Sequence, residues 1–311
     1  MTHLCTVGGI TLPHGPFMIG AGVCKTPAST TEWLQVAPVV SGSYTALKRN
    51  GNPGNTAWPG TLNRVTELGY ALNSYGMPNI GFVAAADQFA AIQSDHPLII
   101  SIAGFSVDDY IQGARTFGQL STVAALELNF GCPNTQGEHS TIMSFDPNIV
   151  WEVMLGIGRL ALQKPTWVKL SPYSNPRDLQ HMADMLNHCV GLESLAVVTC
   201  NTFPNAYAGA GLIDPNSGLA GLSGPALKPI ALGQVKQFRH YLDERIDVIG
   251  AGGITTGNDI VDFIDAGAAA VQITSLAHWA GNPRSCTDHL FADGAADRFF
   301  TYLEATPERN D

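Results

Sequence analysis

Apolar residues run along the chain in short blocks, separated by longer stretches in which they recur at helical spacing. The blocks are PFMIGAG (16–22), VVSGSYT (39–45), HPLIISIAG (96–104), VAALELNFG (123–131), TWVKLSP (166–172), SLAVVTCNT (194–202), IDVIGAGG (246–253) and AAVQITS (269–275). Most contain β-branched residues and lack strict alternation, as parallel strands do when both faces of a sheet are covered. Helix-like segments lie between them: EWLQVA after the first block, AAADQFAAI (84–92), VDDYIQGARTFGQL (107–120), IVWEVMLGIGRLALQ (149–163), RDLQHMADMLNHCV (177–190), ALKPIALGQVKQFRHYL (226–242) and NDIVDFIDAG (258–267). Eight strands alternating with helices, without a linker or a break in composition, predict one α/β domain over 1–311, a closed (β/α)8 TIM barrel. An open doubly wound sheet fits eight regular units less well. The opening TVGGITLP reads as a small N-terminal β-hairpin closing the barrel bottom. Long loops at 46–72 and 202–225 follow strands two and six, on the face where a barrel builds its site.

Composition narrows the function classes. With 45% apolar and 14% charged residues, the 311-residue chain can bury a sizeable core. Its 26 acidic and 16 basic side chains leave a net charge of −10, which disfavours a nucleic-acid partner. The six cysteines, Cys5, Cys24, Cys132, Cys189, Cys200 and Cys286, form no CxxC pair. In a chain this long they read as reduced thiols of a cytoplasmic protein, without disulfides or an iron–sulfur site. No apolar run reaches the roughly 18 residues of a membrane span, and MTHLCTVGGITLP lacks the blocks of a signal peptide, so neither membrane nor export is expected.

Candidate chemistry gathers at the predicted strand ends. GAGGITTG (250–257) follows strand seven and QITS (272–275) ends strand eight, where backbone N–H groups of a barrel receive a ligand phosphate. Gly252 and Gly253 would let the backbone approach, with Thr274 and Ser275 as donors; ordinary tight turns are the alternative. Asn129, Lys169, Asn201 and Thr202 end apolar strands, and Asn73 and Ser74 lie in ALNSYGMPNIGF. A lysine there needs an anion or dipole, either a ligand or a core carboxylate. The amides either cap loops or converge on a ring with alternating N–H and C=O groups. Cys132, in LELNFGCPNTQG between Asn129 and Asn134, is either a small buried hydrophobe or a base or nucleophile on the catalytic face.

NFGCPN, VKLSPY, CNT, GLSGPALKP and GAGGITTG occur in an order and spacing that resemble the dihydroorotate dehydrogenases, in their class 1, cysteine-base branch. The similarity runs from about PFMIGAGV to the last strand. The tRNA dihydrouridine synthases share NxGCP on an FMN barrel, but they bind a polyanion, which the acidity here disfavours. The resemblance implies FMN across the barrel mouth, with its phosphate on Gly252, Gly253, Thr274 and Ser275 and with Gly224 closing that site. Gly20, Ala21, Gly22, Ser43, Asn129 and Cys200 would line the cofactor, and Lys169 would favour the anionic reduced flavin. Asn73, Ser74, Tyr75, Gly76, Met77, Asn129, Asn134, Asn201 and Thr202 would hold the substrate ring. Cys132 would remove a proton from one ring carbon while its neighbour gives hydride to flavin N5. A small molecule or a separate protein would accept the electrons, the setting would be pyrimidine metabolism, and the enzyme would be a homodimer.

Two departures shape the expectation. The family places a lysine at the end of strand two, where VVSGSYTALKRNGNPGNTAWPG puts Ser43, or Gly42 with a shifted gap. Its arginine after GNP is replaced by Asn55 or Thr56. Either Lys25, Lys48 or Arg49 substitutes and the substrate is dihydroorotate, or the substrate is a non-carboxylated pyrimidine-like or other cyclic amide. A barrel that binds FMN or phosphate without redox turnover is the alternative of another class. Tyr75, where the family often has a smaller residue, implies an altered pocket shape.

Overall fold

Each of the eight apolar blocks contains a barrel strand in the computed structural model, which describes residues 3–52, 69–133, 142–189, 194–207 and 219–306. β1 (Cys5–Val7) and β2 (Ile10–Leu12) form the N-terminal hairpin. The barrel consists of β3 (Phe17–Ile19), β4 (Val39–Tyr44), β6 (Leu98–Ile102), β7 (Ala125–Asn129), β8 (Thr166–Lys169), β9 (Ala196–Val198), β12 (Asp247–Ala251) and β13 (Ala270–Ile273). All neighbouring pairs are parallel, and β13 pairs with β3 while β12 pairs with β9, so the sheet closes. A second, antiparallel sheet was not expected: β10 (Phe203–Tyr207), β11 (Leu219–Ser223) and β5 (Ala71–Asn73) join segments from the two long loops.

Helices follow the predicted segments with shifted ends. The first is Pro27–Trp33, ahead of EWLQVA, because Thr26 caps it and Pro27 sits in its first turn. The Thr26 hydroxyl accepts from the Ser29 N–H, which sets the start. Three further helices, Ser275–Ala280, Pro283–Leu290 and Asp297–Ala305, follow the last strand. Among the described residues no helix is long and apolar enough to cross a membrane.

The barrel interior is layered because alternate residues of each strand point inward. Met18, Val40, Ile99, Ala125 and Trp167 make an apolar lower layer, against which Val7, Ile10 and Leu12 of the hairpin pack. Trp167 Nε1 donates to the Gly8 carbonyl (2.9 Å) and the Gly8 N–H donates to the Asp247 carboxylate (2.6 Å), which fixes the plug. Two residues further along the strands the interior turns polar, with Ser101, Glu127, Lys169 and Gln272 all buried. Lys169 Nζ donates to Gln272 Oε1 at 2.7 Å and lies 3.7 Å from Glu127 Oε1. Gln272 Nε2 donates to Glu127 Oε2 at 2.6 Å, and the Ser101 hydroxyl donates to Glu127 Oε1 at 3.0 Å. Lys169 therefore has the core-carboxylate partner that its position in an apolar strand required.

Removing one member of a buried ion pair strands the other charge, at a cost of about 3–5 kcal/mol. Glu127→Ala is expected to lower unfolding stability by about that amount, read from the urea midpoint and slope. Glu127→Leu combined with Lys169→Met should recover much of the loss. A Glu127→Ala protein as stable as wild type would show that the pair does not hold this layer.

Candidate functional site

Above the polar layer, the same hydrogen bonding continues to the C-terminal strand ends. Asn129, the last residue of β7, donates from Nδ2 to the Ser43 hydroxyl (2.8 Å), which pairs with Ser101 (2.8 Å). Its Oδ1 accepts from Asn201 Nδ2 (3.0 Å) and from the Gly131 N–H (3.2 Å). Asn201 Oδ1 in turn accepts from the Thr202 N–H (2.7 Å). Both asparagines thus cap local backbone, and both still face an open cleft.

The cleft has two adjoining compartments that share Ala21, Gly22, Asn73, Tyr75, Lys169, Asn201 and Thr202 as wall. One extends toward β12 and β13, past Cys200, Gly252, Thr274 and Ser275. Ser223 and His278, which sequence reasoning missed, also line it. The other extends toward β4 and β7, past Ser43, Gly76, Met77, Asn129 and Cys132, and Lys25 lines it too. The antiparallel sheet brings Asn73 here: Asn73 pairs with Gly221, where a Cβ would come within 2.1 Å of the Thr202 hydroxyl.

Several residues named from the sequence stand outside the wall. Gly20 packs on the Thr274 side chain, and Ser74 is buried with its hydroxyl accepting from Asn52 Nδ2 (3.1 Å). Gly224 and Gly253 pack against each other behind Gly252. Gly253 has φ +77°, and a Cβ there would lie 2.8 Å from the Gly224 carbonyl oxygen. Asn134, Asn55 and Thr56 lie outside the described residues. Of the replacement cations, Lys48 is exposed, and Arg49 donates to the Gly76 carbonyl (3.2 Å) with its guanidinium 4.7 Å over the Phe105 ring.

Electrostatics separates the groups further. Burial pushes the Cys24, Cys200 and Cys286 thiols up to about 12 and Cys189 to about 11. Cys132 is only half-buried and opens on the cleft. Lys25 Nζ lies 4.5 Å over the Tyr75 ring, which stacks on His278 at 6.2 Å. Burial lowers the Lys25 amine to about 8, and a negative charge on Cys132 would raise it. His278 is lowered to about 4, by burial first and then by the Lys25 charge, so its ring is neutral near pH 7. Glu127 had a visible signal, a carboxylate inside an apolar strand run, whereas Ser101, Gln272 and His278 had none.

The dihydroorotate dehydrogenase family model matches residues 5–288. Dihydroorotate dehydrogenase A (fumarate) of Lactococcus lactis is 31% identical over 276 residues, covering 86% of this chain and 85% of that one. The catalytic subunit of dihydroorotate dehydrogenase B (NAD(+)) of Geotalea uraniireducens is 30% identical over 305 residues, covering 96% and 92%. The Eimeria tenella dihydroorotate dehydrogenase crystallised with ferulenol superposes with a TM-score of 0.75 over 97% of this chain and 84% of that one, at 19% identity, a likeness of fold. By sequence along nearly its whole length, the chain belongs to the dihydroorotate dehydrogenase family, oxidoreductases acting on CH–CH groups.

Proposed function

We propose that this protein is an FMN-dependent dehydrogenase of dihydroorotate type, with Cys132 as the acid/base group. The observation that carries the reading is one continuous cleft. Cys132 and the amides of Asn73, Asn129 and Asn201 line one compartment, and Lys169, Asn73 and Asn201 also line the adjoining second one, which Gly22 and Gly252 help to shape. That second compartment fits a phosphate-bearing cofactor. Gly252, with φ +119°, lines it, and Gly253, with φ +77°, packs on Gly224 beside it. The helix Ser275–Ala280 has no side-chain N-cap, which leaves its leading N–H groups for an anion.

When bound, FMN supplies a two-electron acceptor that side chains do not provide. Gly252, Thr274 and Ser275 would hold its phosphate, and Ala21, Gly22 and Lys169 its ring. Lys169 is fixed from below by Gln272 and Glu127, so its positive charge is in place before any negative charge develops beside it. Asn73, Asn129, Asn201 and Thr202 orient the amide edge of a flat ring. Cys132 Sγ takes the proton from one ring carbon as the adjacent carbon gives up hydride, leaving a C=C bond. The six free cysteines favour a reducing, cytoplasmic setting.

Adding dihydroorotate anaerobically to the FMN-loaded protein is expected to bleach the flavin. Absence of bleaching, with the flavin still reducible by dithionite, would redirect the pocket to another ring. Cys132→Ser should slow bleaching by at least about 100-fold with FMN still bound; unchanged speed would remove its role. Gly253→Ala is expected to lower the FMN retained through gel filtration, because its Cβ meets the Gly224 carbonyl. Full retention would place the phosphate elsewhere.

A further inference from the structure

From the placement of Lys25 we infer that it binds an acidic group on the substrate ring and so selects a carboxylated over an uncharged ring. The inference rests on the dehydrogenase reading and names the ligand chemistry of the Cys132 compartment. Lys25 and Lys169 are the two lysines in the described wall of that compartment. Lys169 is already committed, at 2.7 Å to Gln272 and 3.7 Å to Glu127. Lys25 has an aromatic face beneath it, and among the described residues no carboxylate forms an ion pair with it. Burial disfavours the charged amine, and a ligand carboxylate offsets that cost through a charge-assisted hydrogen bond.

The backbone that carries Lys25 is held firmly. The Cys24 carbonyl accepts from the Gly42 N–H (2.9 Å) and from the Ser41 hydroxyl (3.2 Å), and the Gly22 N–H donates to the Gly42 carbonyl (2.8 Å). Thr26, the next residue, caps the helix Pro27–Trp33. The turn therefore lies along the end of β4, beside Ser43, whose own hydroxyl is taken by Ser101 and Asn129. The Tyr75 ring fixes the amine from the other side, at 4.5 Å. A site so held loses little conformational entropy when an anion docks.

The test titrates orotate, which carries a carboxylate, and uracil, which does not, into the FMN-loaded protein while following flavin absorbance. Wild type is expected to bind orotate more tightly than uracil. Lys25→Gln should weaken orotate by about 10- to 150-fold, the worth of one charged hydrogen bond, and leave uracil within about twofold. Lys25→Arg should restore part of the loss. In a Cys132→Ser background, orotate affinity should fall as pH rises through the Lys25 value, which burial lowers to about 8 with the thiol present and which lies lower still once the thiol is gone. Added Lys25→Gln should flatten that fall. Tyr75, pushed up by burial, and His278, lowered to about 4, do not titrate in that window. Equal orotate affinity in wild type and Lys25→Gln would overturn the inference, as would equal weakening of both ligands or a wild-type preference for uracil. Failure of the dehydrogenase reading has a different signature: orotate binds through Lys25, yet dihydroorotate leaves the flavin oxidised.

Discussion

The carboxylate of Glu127 organises the upper half of the barrel. It is fully buried and acceptor-only when ionised, so each neighbour must present a donor to it. Gln272 and Ser101 do so directly, and Lys169 supplies the opposite charge. The direction then propagates outward. With its proton given to Glu127, Ser101 must accept from Ser43; Ser43 accepts from Asn129, and Asn129 accepts from Asn201. One chain of donors thus runs from the cleft wall to a single anion, and it fixes which face each amide shows to a ligand. Such a network tolerates no half-measure, because each unsatisfied member would keep its full desolvation cost.

Strand register is what makes this arrangement possible. Ser101 faces Glu127 in the β6–β7 pairing, and Asn129 faces Lys169 in the β7–β8 pairing. A slip of one residue would turn these groups outward against the covering helices and bring apolar side chains into the mouth. The apolar layer below, locked by Trp167 and the hairpin, guards against that slip. Packing at the bottom of the barrel therefore stabilises chemistry at the top, through the alternation of side chains along each strand.

Much of this was legible in the chain because it is local. Short apolar runs marked all eight strands, and the polar ends of three of them marked the mouth. Glycines at 252 and 253 signalled an unusual turn, and the structure has left-handed backbone there. What escaped is non-local. The β5–β10–β11 sheet joins three short segments drawn from two loops, and none is long enough to show a period. Gln272 lies 145 residues from Glu127, so no pattern in either neighbourhood announces their bond. Lys25 was one of three candidate cations, and the sequence had no means of ranking them. What ranked them was the pairing of the 22–24 backbone with the end of β4, a contact between the loop after β3 and the neighbouring strand.

The two lysines of the Cys132 compartment differ in what already surrounds them, and that difference divides their roles. Lys169 is neutralised from below before any ligand arrives, so it contributes a fixed positive potential with little left to gain from a new anion. Lys25 is desolvated with no carboxylate ion pair among the described residues, and a ligand anion gains most where a charge has already lost its water. The chain's net charge of −10 does not contradict an anionic substrate. Surface charges are screened over about 8 Å at physiological ionic strength, whereas a cation inside the cleft acts at contact. The acidity that disfavours a long polyanion is thus compatible with one carboxylate on a small ring, because the first is governed by the whole surface and the second by a single side chain.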